Sequence, residues 1–175
     1  VASLVGSEMC IRDSGYSAAL PQILKKSGVN YFLTQKLSWS QYNEFPHHTF
    51  YWRGIDGSEV LTHFPPENTY NSELDTEFLI PAQKHFKEKA YLDEFISLFG
   101  VGNGGGGPKP ENIELGHRMS NLESSPKVKF DLARNFFKRL DKNKESLETW
   151  VGELYLELHR GTLTTHGLVK KQNRK

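Results

Sequence analysis

Two rhythms of apolar residues run through this chain, one near 3.6 residues and one of two, and the change from one to the other marks its elements. Leu20, Ile23 and Leu24 fall at helical spacing. Ser17 is placed to cap that helix and Gly28 to end it behind Lys25 and Lys26. Residues 29–35 (VNYFLTQ) then read as a strand, and helix followed by strand points to an α/β architecture. Residues 48–55 and 58–64 read as two strands joined by Asp56-Gly57, a pair suited to the positive φ angles of a hairpin turn. Pro65 and Pro66 close the second strand, because neither can donate to a ladder.

Further on, residues 73–90 predict a helix in which Pro81 is a flaw that kinks or splits it. Residues 95–99 (FISLF) read as a short buried strand that runs into Gly100-Val101-Gly102-Asn103 and four consecutive glycines. Pro108 and Pro110 suit the start of a helix over about 111–122, where a missing N–H costs nothing. A short strand at 128–130 and a helix at 132–140 follow. Asp131 caps that helix, with Leu132, Phe136, Phe137 and Leu140 on its buried face. Residues 150–160 alternate cleanly, with Leu154, Leu156 and Leu158 opposite Glu153, Tyr155, Glu157 and His159, and predict a strand. The segment from Thr164 on, with Lys170, Lys171, Arg174 and Lys175, reads as the solvated face of a helix.

Composition narrows the function classes. The chain has 175 residues, 25% of them charged and 12% aromatic, which is globular rather than disordered. A net charge of +1 supplies no basic field for nucleic acid and no attraction to a membrane surface. No apolar run approaches a membrane span, and no secretory signal pattern opens the sequence. Cys10 is the single cysteine, so a reducing compartment, the cytoplasm, is expected. Residues 1–14 (VASLVGSEMCIRDS) show neither rhythm and resemble translated sequencing-adapter DNA; they read as a foreign leader.

Candidate chemistry follows from the strand ends, where α/β folds place their sites. Reading outward from each predicted strand collects Lys36 and Trp39, His63 and Tyr70, Gly100 to Gly107, and His159 and Arg160. Aromatic faces beside polar groups suit a polyhydroxylated ligand, although tryptophans such as Trp39 and Trp52 more often serve as core or loop packing. Gly100, Gly102 and Gly105 satisfy G-x-G-x-x-G, but the prolines push the next helix start past the loop, so a dinucleotide site is rejected. His47, His48 and His63 lack metal-ligand spacing and read as structural. On a strand, Glu153 and Glu157 would stand about 13 Å apart. That is too far for a glycosidase pair, which needs roughly 5 to 9.5 Å.

Four motifs in order carry a resemblance. GYSAALPQILKKSGVNYFLTQKLSW, FPHHTFYWRGIDGSEVLTHFPPENTY, the glycine loop and GELYLELHRGTLTTH together resemble the α-mannosidases of glycoside hydrolase family 38, in their cytosolic and bacterial branch. The likeness is collinear from Gly15 to Lys175. It implies an incomplete (β/α) barrel over 15–162 and the start of a helical middle domain at 163–175. It implies too a zinc-dependent, retaining enzyme acting on terminal α-mannosyl linkages of mannose-containing oligosaccharides. In that mechanism one aspartate attacks the anomeric carbon and ligates zinc, while a second carboxyl protonates the leaving oxygen.

Carried over residue by residue, the resemblance leaves gaps. The nucleophile motif D-x-F-G-[YH]-S is matched at Gly15, Tyr16 and Ser17, but Asp13-Ser14 precede them without a phenylalanine and one residue short, so Asp13 is not the nucleophile. The family's H-x-D and H-D zinc motifs have no counterpart in this chain, and His166 is neither, so no metal ligand carries over. The acid position falls on Asn103, where many relatives have aspartate. Asparagine has no proton to give at a useful pKa. Lys36, Trp39 and Tyr70 are the expected substrate-binding residues. The parent protein is expected to be a mannosidase and the chain alone to be inactive and poorly folded, with unpaired strand edges. A non-catalytic carbohydrate-binding relative and a purely structural module are the alternatives.

Overall fold

A computed structural model describes residues 15–101, 106–161 and 166–173. At its centre is a four-stranded mixed sheet of order β1-β3-β2-β4, with β1 at Tyr31–Leu33, β2 at Thr49–Arg53, β3 at Glu59–His63 and β4 at Thr149–Val151. The hairpin forms as its turn dictates. β2 and β3 pair antiparallel from Thr49 opposite His63 to Arg53 opposite Glu59. Gly57 takes φ +84°, and the Asp56 carboxylate accepts from the Ser58 N–H at 3.0 Å. β1 pairs parallel with β3, and β4 pairs parallel with β2. The observed architecture is thus α/β with a mixed sheet. Two of its three strand pairings, β1 with β3 and β2 with β4, are parallel.

Period-two alternation splits the core across the sheet. Phe50, Trp52 and Val60 face one side, with Tyr16, Leu37, Phe64, Leu154 and Leu156. Leu20 and Leu24 of α1 (Leu20–Lys26) pack against that side. Tyr51 and Leu61 face the other side, with Phe86, Leu92, Leu147 and three residues of α4 (Ala133–Leu140): Phe136, Phe137 and Leu140. Both faces are covered, so the strands carry large apolar residues at consecutive positions.

Several predicted elements take other forms. β1 is three residues long rather than seven, and α1 starts at Leu20 with Ala19 at the cap position, Ser17 Oγ accepting from the Ala19 N–H at 3.3 Å. α2 covers Thr76–His85, retains Pro81 inside it and is capped by Asp75, which accepts from the Phe78 N–H. α3 spans Pro110–Arg118, with proline in its first turn as predicted. In α4 the capping position falls on Leu132, which is 58% exposed and not on the buried face. Asp131 still serves that end, accepting from the Leu132 N–H and the Asn135 side chain.

Three predicted strands fail. Residues 95–99 are irregular apart from a single bridge between Ser72 and Phe99, and residues 128–130 form no strand. Residues 150–160 leave the sheet after Val151. Gly152 turns at φ +108°, Leu154 makes one bridge with Tyr16, and Glu157–His159 winds into a 3-10 turn. Leu154 and Leu156 are buried, but Leu158 is 52% exposed. The terminal helix, α5 (Gly167–Gln172), buries nothing, as its basic face predicts.

Candidate functional site

β1 and β3 run parallel and finish side by side at Leu33 and His63, and β2 begins at the same end. Two segments therefore share this end: residues 34–48, which join β1 to β2, and the chain leaving β3. Thr34 is buried where they meet. Its Oγ1 lies 2.7 Å from the Tyr16 hydroxyl and 3.4 Å from the Tyr70 hydroxyl, and accepts from the Lys36 N–H at 3.2 Å. The Tyr70 hydroxyl also accepts from the Gln35 N–H at 3.2 Å.

Lys36, Trp39 and Tyr70 converge on this point. Residues Lys36–Trp39 form a 3-10 turn, and the Lys36 ammonium lies 4.0 Å from the centre of the Trp39 ring and 5.5 Å from that of Tyr70. Cation–π attraction at these distances holds the three together. Trp39 remains 47% exposed, whereas Trp52 is wholly buried and belongs to the core. An open indole face beside an ammonium donor can stack on an apolar ring surface while hydrogen-bonding its hydroxyls. A cleft of about 380 Å³ adjoins, lined in part by Gln35, Ser38, Tyr42, Asn43 and His48.

The chain that leads into the glycine loop meets the segment carrying Tyr70 through a bridge between Ser72 and Phe99. Asn103 itself lies outside the described residues. On either side of it, the Val101 N–H donates to the Gly107 carbonyl at 3.1 Å, and a Cβ at Gly106 would come within 2.7 Å of the Val101 side chain. That contact explains a glycine there. Glu67 ties this lead-in to the loop carrying Tyr70: its carboxylate accepts from Ser72 at 3.1 Å and Ser97 at 2.8 Å. Burial pushes the Glu67 carboxyl above its ordinary range.

The other candidates are placed differently. His63 is fully buried rather than on a rim; the Ile96 N–H approaches its Nε2 at 3.4 Å, so its Nδ1–H faces Thr49 Oγ1 at 2.8 Å. His48 Nδ1 accepts from the Lys87 N–H at 3.1 Å, and His85 stands between the Pro66 carbonyl and Glu44. These histidines are engaged one by one, and the described residues contain no group of three or more His, Cys, Asp or Glu able to hold a metal ion. Arg160 donates to Gln41 at 3.0 Å and lies over the Tyr42 ring at 5.5 Å. With the strand over 150–160 gone, the separation argument against Glu153 and Glu157 goes too. Glu157 instead has both carboxylate oxygens occupied by residues 40–43.

Three carboxylates organise this end, none of which the sequence marked for that role. Glu67 and Glu157 act as described, and Glu88 is buried beneath the entry to β2, accepting from the His48 and Thr49 N–H groups at 3.1 Å. Hydropathy offers no signal for them, since each reads as an ordinary polar position until its distant donors are known.

Comparison with known proteins bears on the same residues. Residues 11–153 match the glycosyl hydrolases family 38 N-terminal domain. The chain is 47% identical over 169 residues to human alpha-mannosidase 2C1, covering 96% of this chain and 16% of that protein. It is 47% identical over 160 residues to alpha-mannosidase G of Dictyostelium discoideum, covering 91% and 15%, and 41% identical over 167 residues to the alpha-mannosidase of Saccharomyces cerevisiae, covering 90% and 15%. The chain thus spans about a sixth of the length of the curated relatives it matches.

Proposed function

The chain belongs to glycosyl hydrolase family 38, and from that premise we propose that it is part of the catalytic domain of a retaining α-mannosidase that removes terminal α-mannosyl residues from mannose-containing oligosaccharides. In this reading residues 15–162 contribute to a (β/α) barrel and 163–175 begin a helical domain. We place the parent in the cytoplasm, in keeping with the absence of cysteine from residues 15–175 of this chain. Among the described residues no helix is long and apolar enough to cross a membrane.

The observation that carries the proposal is the convergence of Lys36, Trp39 and Tyr70 where β1 and β3 end. Trp39 supplies a stacking face for the mannose ring. Lys36 donates to its hydroxyls, and Tyr70, held by Gln35 and Thr34, fixes the edge of the site. The zinc implied by the family finds no fitting donor set among the described residues, so none of them is assigned to it. Asn103 occupies the acid position without an acid's chemistry, which leaves a non-catalytic mannose-binding relative as the second reading.

The test uses the full-length protein and an aryl α-mannoside. Trp39→Ala and Lys36→Ala should each raise KM about tenfold with kcat nearly unchanged, as loss of uniform binding requires. Unchanged KM in both variants would overturn the assignment.

A further inference from the structure

The 3-10 turn that carries Lys36 and Trp39 is held at its start, where the Lys36 N–H donates to Thr34 Oγ1 at 3.2 Å and the Ser38 N–H to the Gln35 carbonyl at 3.0 Å. Ser38 Oγ closes one side on the Gln35 carbonyl at 2.7 Å, and the Ser40 N–H closes the other on the Leu37 carbonyl at 3.1 Å. Beyond Ser40 the chain is irregular up to β2. Here a carboxylate from 117 residues away enters. Glu157 Oε2 accepts from Ser40 Oγ at 3.1 Å, the Tyr42 N–H at 2.6 Å and the Asn43 N–H at 3.2 Å, while Oε1 accepts from the Asn43 side-chain amide. Four donors from three residues meet on one side chain that is only 9% exposed.

The neighbours of Glu157 strengthen the grip. Leu156 is buried in the same apolar cluster as Leu37, so each segment is anchored in the core next to this contact. Arg160 brackets it from the far side through Gln41 and the Tyr42 ring.

We propose that Glu157 is a positioning residue that sets the affinity of the site: by fixing residues 40–43 it fixes the turn whose far end presents Lys36 and Trp39. The inference rests on reading Lys36, Trp39 and Tyr70 as the sugar platform. Ser40 is the mechanical link, since its backbone closes the turn and its side chain holds the carboxylate. The Tyr42 and Asn43 donors keep the Glu157 carboxyl at about 2, well below its ordinary value, so the clamp stays charged at any working pH.

In the full-length protein, Glu157→Ala should raise KM for an aryl α-mannoside about tenfold and leave kcat within about twofold, the scale of losing charge-assisted hydrogen bonds. Amide exchange should quicken over 36–45 while the 49–63 hairpin stays protected. Glu157→Gln keeps one oxygen for the Tyr42 and Asn43 N–H groups and should recover part of both effects, and it serves as the test if the alanine variant does not fold. Unchanged KM with Glu157→Ala, beside raised KM in Trp39→Ala and Lys36→Ala, overturns this inference alone. If KM is unmoved in the two platform variants, both readings fall. A drop in kcat together with loss of hairpin protection would show a general structural staple and overturn the positioning role.

Discussion

His48 and His63 enter the fold without their protons. Burial, then the nearby His85 and Lys87 charges, pushes the His48 imidazole down to about 4, and burial holds His63 well below its ordinary value. Geometry agrees, because His48 Nδ1 accepts from the Lys87 N–H and a proton there would remove the acceptor. The folded pKa lies below the unfolded one, so between about pH 6.5 and 4 the unfolded chain binds more protons and stability falls with pH. For His48 the full effect is about 3 kcal/mol. Glu67 and Glu88, raised by burial, carry the opposite sign at the acid end, losing their contribution as pH rises. Urea midpoints measured from pH 7 to 4 should fall, and His48→Gln should flatten the slope; the difference between the two proteins cancels the carboxylates. Equal slopes would show that His48 titrates normally. A structural role for these histidines was legible in the sequence, since they lack ligand spacing. Glu67 and Glu88 were not, because nothing local distinguishes them from solvated positions, and Glu157 was legible only as half of a pair with Glu153.

At the scale of elements, punctuation predicted better than periodicity. Asp56-Gly57, Pro110 and the prolines at 65–66 each impose a backbone restraint, and the hairpin and α3 start where they indicate. Runs without such signals misled. Residues 95–99 are apolar enough for a strand, but they cross near the sheet without joining its ladder, and their apolar side chains pack from outside against Phe86 and Phe130. The alternation over 150–160 breaks because Gly152 turns the chain back toward Tyr16. Phe130, read as a strand residue, is instead a wedge against α3, packed edge-on to His117 and beside Phe99. This reverses the usual rule for a helical glycine. Replacing Gly116 by alanine ordinarily gains helix propensity. Here the added Cβ would overlap the Phe130 ring, so Gly116→Ala should destabilise by about 1–3 kcal/mol through overpacking. A lower thermal midpoint checks this, and Phe130→Leu in the same background should restore part of the loss. A rise in midpoint would place the ring elsewhere.

For the whole molecule, the sheet matters as a frame that brings two distant loops to one end. Lys36 and Tyr70 are 34 positions apart in sequence, yet the parallel pairing of β1 with β3 makes their segments neighbours. A strand-end rule could find both residues even though the sheet is mixed, because it needs only those two strands to be parallel. It failed for His63, whose position within β3 sends its ring inward to Phe136. In the proposed reading the acid position falls on Asn103, and that makes the source of the proton testable. If the glycine loop presents this position to the leaving oxygen, Asn103→Asp in the full-length protein should raise kcat about a hundredfold on an alkyl or phenyl α-mannoside, within the range for a general acid. The gain should nearly vanish on a dinitrophenyl α-mannoside, whose leaving group departs without protonation. The acid limb of the pH profile should also appear only in the aspartate variant. An equal gain on both substrates would mean that the carboxylate acts on binding or on the loop instead. No gain on either would mean that another group already supplies the proton, or that the parent binds mannose without cleaving it.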